Sequence, residues 1–176
     1  MLTYQNAKLS DLSFIVEVYN STIASRMVTA DLNPIKVEDR LEWFNQHNPT
    51  SRPLWIIYLS DQPCGWVSLS SFYGRAAFNK TAEISIYLHP MFRGQQLGEQ
   101  VIHHVEKQCP LFGIETILSF IFHHNYPSIK LFTRLGYQQW GYFPEIAELD
   151  SIKRDLVIYG KKLLNNKAKQ TVLLQK

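Results

Sequence analysis

The sequence predicts one α/β domain built on a mixed sheet, and three observations carry that prediction. The first is the stretch from Thr81 to Gly98, which reads as a strand, a loop with two glycines and the start of a helix. The second is the order of periodic segments along the chain: strand, two helices, three strands, helix, strand, helix, two strands. The third is size and composition. With 176 residues, 45% hydrophobic and 19% charged, the chain suits a single soluble domain with one substantial core.

Taken in order, Leu2 to Ala7 is the first strand. Ser10 is placed to cap a helix, with Asp11 favouring its dipole, and Leu12, Ile15, Val16, Tyr19 and Ile23 follow at helical spacing. A loop from about Ser25 to Leu32 leads to a second helix opened by Asn33-Pro34, with Val37, Leu41 and Phe44 on one stripe. Leu54 to Leu59 and Gly65 to Phe72 read as strands joined by Ser60-Asp61-Gln62-Pro63. Tyr73 to Lys80 is a polar and aromatic loop. In the strand after it, Glu83, Ser85 and Tyr87 point to one side and Ile84, Ile86 and Leu88 to the other, until Pro90 ends the ladder.

A helix from Leu97 to about Cys109 follows. Glu115 to Phe122 is a fifth strand, and Pro127 starts a helix carrying Ile129, Leu131, Phe132 and Leu135, which Gly136 closes. Two strands, about Tyr137 to Glu148 and Lys153 to Lys161, turn at Asp150-Ser151. The domain is therefore placed at 1–164, with 165–176 expected to be a disordered tail.

A formal charge of +3, scattered along the chain, gives no case for nucleic acid, although a slightly basic surface suits a polyphosphorylated ligand. Cys64 and Cys109, the only cysteines, support neither a disulfide framework nor a four-ligand zinc site. The adjacent pairs His103-His104 and His123-His124 diverge within a helix or strand, so no metal is expected. No charged-then-apolar leader and no long apolar span is present, so a cytoplasmic protein without membrane attachment is the default.

The strand–loop–helix unit has a chemical meaning. Backbone N–H groups converge where a glycine-bearing loop enters a helix, and the helix dipole adds partial positive charge, making an anion cradle. Arg93-Gly94-Gln95-Gln96-Leu97-Gly98 resembles the (Gln/Arg)-x-x-Gly-x-(Gly/Ala) signature of the GNAT superfamily of acetyl-CoA-dependent N-acetyltransferases, with Gln96 in place of the middle glycine. Further segments resemble its phosphinothricin-acetyltransferase-like branch. They are Tyr19-Asn20, Glu38-Asp39-Arg40 before Trp43-Phe44, Arg75-Ala76-Ala77-Phe78, Ala82 to Pro90, Asn125 to Leu131, and Leu135-Gly136-Tyr137. The resemblance spans roughly residues 3 to 163 and implies the GNAT fold, a mostly antiparallel seven-stranded sheet flanked by about four helices.

The resemblance also implies roles. Backbone groups of Ile86, Tyr87 and Leu88 would pair with the pantetheine arm of acetyl-CoA, and Arg93, Gly94, Gln95, Gln96, Leu97 and Gly98 would take its pyrophosphate. Asn125 would contact the arm, with Ser128 adding a contact, while helix capping is the other use for both. Gln96 is expected to keep a right-handed backbone and still offer its N–H. Glu83 aligns with the glutamate proposed as base in this branch, and burial would raise its pKa toward working pH; a salt bridge to Arg75 or Lys80 is the alternative. Phe132 stands where relatives carry a tyrosine or histidine, so no general acid is assigned. Arg26, Thr29, Asp31, Tyr73, Arg75 and Phe78 are the candidates to line the substrate pocket, Arg75 as a carboxylate clamp. The implied activity is acetyl transfer to a small, amino-acid-like primary amine by direct attack on the thioester. A peptide N-terminal acetyltransferase and a non-catalytic acyl-CoA sensor remain the alternatives. The aromatic final hairpin fits a homodimer, as in relatives.

Overall fold

A computed structural model describes residues 1–163; the expected tail, 165–176, lies outside the described residues. Seven strands form one sheet: β1 (Leu2–Asn6), β2 (Leu54–Leu59), β3 (Gln62–Ser71), β4 (Thr81–Leu88), β5 (Thr116–Phe122), β6 (Gln138–Leu149) and β7 (Ile152–Lys162). Their spatial order is β1-β2-β3-β4-β5-β7-β6. Every neighbouring pair is antiparallel except β4–β5. That one parallel pair follows from the helix between them, because a parallel partner needs a crossover rather than a hairpin.

The helices are α1 (Leu12–Ile23), α2 (Leu41–Asn45), α3 (Leu97–Gln108) and α4 (Tyr126–Arg134). On one face of the sheet, Ile15, Val18, Tyr19 and Ile23 of α1 pack with Leu54, Ile56 and Trp66. On the other, Val101, Ile102 and Val105 of α3 and Phe132 of α4 pack with Val67, Leu69, Ile84, Ile117 and Ile121. The alternation in β4 therefore splits as the sequence requires, Ile84 toward α3 and Tyr87 toward α1.

Four local expectations are corrected. Ser10 does not cap the first helix: the Asp11 carboxylate accepts the Lys8 N–H at 2.7 Å, closing a 3-10 turn ahead of α1. The second helix does not open at Asn33-Pro34. Asn20 ties that loop down on both sides of Ile35, its Nδ2 donating to Ile35 O at 2.9 Å and its Oδ1 accepting from Ile35 N at 3.0 Å. A 3-10 turn at Glu38–Arg40 then leads into only five α-helical residues. The hairpin after β2 is tighter than the four-residue link expected, since Ser60 (φ 50°) and Asp61 (φ 66°) alone make the reversal. Two successive left-handed residues match the right-handed strand twist, so Gln62 and Pro63 are freed to enter β3. Gln96, at the entry to α3, is the fourth.

β4 and β5 then separate. They pair only at Thr81↔Thr116, Ala82↔Ile117 and Glu83↔Leu118. From Ile84 onward β4 keeps its β3 partner on one edge and, among the described residues, has no strand on the other.

Candidate active site

A cavity of about 470 Å³ occupies the wedge between the diverging strands. Its walls are Ile84–Leu88 of β4 and Ser119–Phe122 of β5; its mouth is formed by Arg93, Gly94, Gln96 and Gly98, and its α4 side by Asn125, Ser128, Leu131 and Phe132. The open edge of β4 runs along this space, a row of peptide groups in need of a partner. A thin chain carrying its own amides supplies such a partner, which is the chemistry of pantetheine.

At the mouth the loop turns sharply into α3. Gly94 has φ 75° with open space around it, and Gln96, at the N-cap, has φ 59° and ψ 17°. The right-handed backbone expected at Gln96 is thus corrected. A left-handed residue is needed to swing the chain into the helix, which is why glycine suits the position and why Gln carries strain of about 1–2 kcal/mol there. Gly98 serves packing: a Cβ there would come within 2.9 Å of Leu131 Cδ2, so the glycine lets α3 lie close to α4.

Arg93 and Gln95 fold back on the protein. Arg93 Nε donates to Leu88 O at 2.8 Å and its Nη2 to Ser21 Oγ at 2.7 Å, bridging the end of β4 to α1. Gln95 Nε2 donates to Met91 O at 3.1 Å. The cradle facing the cavity is therefore mainly backbone. Asn125 caps α4, accepting from Ser128 N at 3.3 Å, while its Nδ2 donates to Met27 O at 3.1 Å. Both ends of that side chain are engaged in shaping the wall.

Glu83 sits at the vertex, in the last residue pair before the strands part. Neither cation considered for it is its partner: Lys80 Nζ lies 2.8 Å from Glu115 Oε1, and the Arg75 guanidinium stands 5.8 Å from the Tyr73 ring centre. Burial pushes its carboxyl above the ordinary carboxylate range, with no cation among the described residues to pull it back.

The substrate candidates fall into two groups. Tyr73, Arg75 and Phe78 cluster on the loop after β3, Phe78 meeting Phe72 and Tyr73 edge-on. Phe78 also lines a second cavity, with Phe72, Leu118 and Trp140. Thr29 is buried and belongs elsewhere, hydrogen-bonded to Tyr19, whose hydroxyl also donates to Asp31. Arg40 completes that group, 3.8 Å from the Asp31 carboxylate and stacked 4.3 Å over the Tyr19 ring. Arg26 reaches neither, pairing with Asp150 at 2.6 Å.

Sequence reasoning missed Ser119, a buried hydroxyl on the cavity wall. Its signal was available, as one polar residue inside Ile117-Leu118-Ser119-Phe120-Ile121. Thr22 and Val28 also reach the cavity, for which no local pattern in the chain speaks. Of the histidine pairs, His104 stacks on Tyr4 at 3.6 Å and His124 Nε2 meets Arg26 O at 2.7 Å.

Comparison with known proteins agrees with this geometry. Residues 17–137 match the profile described as the Acetyltransferase (GNAT) family. The chain is 46% identical over 163 residues to the "Putative phosphinothricin acetyltransferase YwnH" of Bacillus subtilis, covering 92% of this chain and 99% of that protein. A crystal structure described as a putative phosphinothricin N-acetyltransferase superimposes with a TM-score of 0.90 at 45% identity, over 94% of this chain and all of the other. The phosphinothricin acetyltransferase of Sinorhizobium meliloti in complex with AcCoA shares the fold at a TM-score of 0.85 and 22% identity, over 95% and 91% of the two chains.

Proposed function

The chain belongs to the acetyltransferase (GNAT) family and is an N-acetyltransferase, and we propose that it moves the acetyl group of acetyl-CoA onto the primary amine of a small, amino-acid-like molecule by direct attack on the thioester. One observation carries the mechanism: an unpaired, desolvated carboxylate, Glu83, stands where the acyl-binding wedge closes.

The chemistry follows from what such a reaction demands. The amine arrives as an ammonium and must lose a proton before it can attack. A carboxyl group raised by burial is a better base near neutral pH than an exposed one, and Glu83 takes that proton, through water. Acetyl-CoA supplies the activated acyl group. The open β4 edge at Ile86, Tyr87 and Leu88 orients its arm, and the turn from Gly94 to Gly98 receives its pyrophosphate at the α3 N-terminus. A backbone N–H near Ile86 or Tyr87 faces the developing oxyanion, a contribution of about 3 kcal/mol in preorganised sites. Phe132 has no proton to give, so the thiol leaves as thiolate, tolerable for a group of pKa ~8.5.

An acetyl-enzyme is disfavoured. Cys64 and Cys109 are fully buried, burial pushes the Cys109 thiol up to about 12, and neither lines the wedge. Arg75 and Phe78, with Tyr73 and Thr29 in support, are the residues assigned to the substrate. The exposed apolar side chains of the final hairpin, including Trp140, Tyr142 and Ile146, support pairing with a second copy. Two reduced, buried cysteines favour the cytoplasm. No helix among the described residues is long and apolar enough to cross a membrane.

The test is thiol release from acetyl-CoA across free amino acids, methionine sulfone, methionine sulfoximine, phosphinothricin and polyamines. Turnover concentrated on one amino-acid-like amine is expected. Silence across the panel with tight acetyl-CoA binding would replace the proposal with an acyl-CoA sensor or a peptide substrate.

A further inference from the structure

We propose that His47 and Ser70 are positioning residues that form the exit for the proton Glu83 takes from the amine. The inference rests on Glu83 being the base.

The reaction itself requires an exit. An ammonium and a thioester give an amide, a thiol and one proton. The C–N bond forms, the C–S bond breaks with its electron pair on sulfur, and the nitrogen sheds two protons, of which the thiol keeps one. The other must reach bulk water in every turnover, and Phe132 on the wedge side can neither take it nor pass it on.

The opposite face of the sheet offers a path. Ser70 of β3 is the direct cross-strand partner of Glu83, and the two side chains share the face toward α1 and α2. The Ser70 hydroxyl is 3.2 Å from His47 Nε2, and His47 Nδ1 is 2.9 Å from Trp43 O. A carbonyl only accepts, so Nδ1 carries the ring proton. In the neutral ring Nε2 is then a bare lone pair, and Ser70 donates to it. The oxygen of Ser70 is left to accept from the Glu83 side. No direct hydrogen bond joins Glu83 to Ser70, so a water hands the proton to the Ser70 oxygen as the hydroxyl proton moves onto Nε2. The half-buried ring then turns Nε2 out of the Ser70 contact and releases that proton to solvent, Nδ1 keeping its own.

The surroundings favour a neutral resting state. His47 lies edge-on to Trp43 at 4.6 Å, and burial holds it below the ordinary histidine value. From α2 it faces the Trp43 and Phe44 carbonyls, and from β3 the Ser70 hydroxyl; the Arg40 guanidinium also sits against the Trp43 ring, 5.3 Å from its centre. Glu83 is flanked by Ser85 and by Tyr87, whose hydroxyl is held neutral by burial, and from β5 it meets Leu118. Tyr87 in turn feels Tyr19, Arg40 and Asp31.

The experiment compares wild type, His47→Gln, Ser70→Ala and Glu83→Gln for kcat and KM in dilute buffer and again in rising imidazole. The expected result is a kcat loss on the order of tenfold in both relay variants, unchanged KM for acetyl-CoA, and recovery with imidazole, which carries the proton out directly. A packing role would not respond to imidazole. Wild-type kcat in either relay variant, or a loss that imidazole does not restore, overturns the relay. Were Glu83→Gln as active as wild type, the base assignment itself would fall; an inactive Glu83→Gln beside a normal His47→Gln removes the relay alone. Nitrogen-15 NMR of the His47 ring supplies a readout without turnover. It should show the Nδ1–H tautomer at pH 7, with the ring titrating lower in Glu83→Gln, and the opposite tautomer or an unmoved titration also overturns the proposal.

Discussion

Replacing Gln96 by glycine should make the protein more stable, although it removes a side chain and adds no contact. Gln96 holds φ 59°, is solvent-exposed, and makes no capping hydrogen bond through its side chain. An L-residue in that conformation costs about 1–2 kcal/mol. Glycine releases that strain but gives the unfolded chain more freedom, worth about 0.4–1 kcal/mol in the other direction. The balance favours Gln96→Gly by roughly 0.5–1 kcal/mol, or about 1–4 °C in Tm for a domain of this size. Gly94→Ala is the mirror control. Its φ of 75° has open space for a Cβ, so no clash adds to the strain, the reduced freedom of the unfolded chain offsets part of it, and Tm should fall by a similar amount. Thermal unfolding followed by circular dichroism, in matched buffer without ligand, reads both. A lower Tm for Gln96→Gly would refute the left-handed turn as the reason glycine suits this position. Affinity for acetyl-CoA should change by no more than about threefold, since the backbone N–H survives and backbone donors carry phosphate at a helix start.

Two other predictions concern the wedge. Glu83 titrates higher folded than its ordinary 4.5, so across that interval the folded state holds the extra proton and stability falls as pH rises. Glu83→Gln should therefore melt above wild type at pH 7, with the gap closing as the pH drops below about 4.5; a gap independent of pH would contradict burial of the carboxyl. Phe132, 4% exposed and edge-on to Tyr137 at 4.9 Å, anchors α4 to the core. Phe132→Ala should cost about 3 kcal/mol, hence roughly 6–12 °C by calorimetry, and a loss under 2 °C would place the ring outside the core.

What was legible in the chain followed from short-range periodicity. Strict alternation over Thr81–Leu88 placed Glu83 and Tyr87 on one face, and the step from Pro90 through the glycine loop to Leu97 placed the helix start. Helical spacing likewise identified the buried side of α1, residue for residue at Leu12, Ile15, Val16, Tyr19 and Ile23. What depended on distant partners was not legible. Asn33-Pro34 has a helix-opening pattern, yet Asn20, on α1, holds Ile35 in a loop. The separation of β4 from β5 has no local signature, because each strand keeps an unshifted register with its other neighbour, β3 or β7. Ser70 stands opposite Glu83 through the register of β3 on β4, and His47 reaches Ser70 through the placement of α2, neither of which spacing in the chain reveals. Gln96 was read by residue type, whereas the turn geometry decided its backbone.

The most direct test of the account is the pH dependence of kcat/KM for acetyl transfer to the preferred amine, measured for wild type and Glu83→Gln together. With Glu83 as base, the variant should lose about 10²–10⁴-fold near pH 7, and the deficit should shrink as pH approaches the pKa of the amine, where the substrate arrives deprotonated. Parallel profiles, with the same loss or none at every pH, would contradict Glu83 as the proton acceptor.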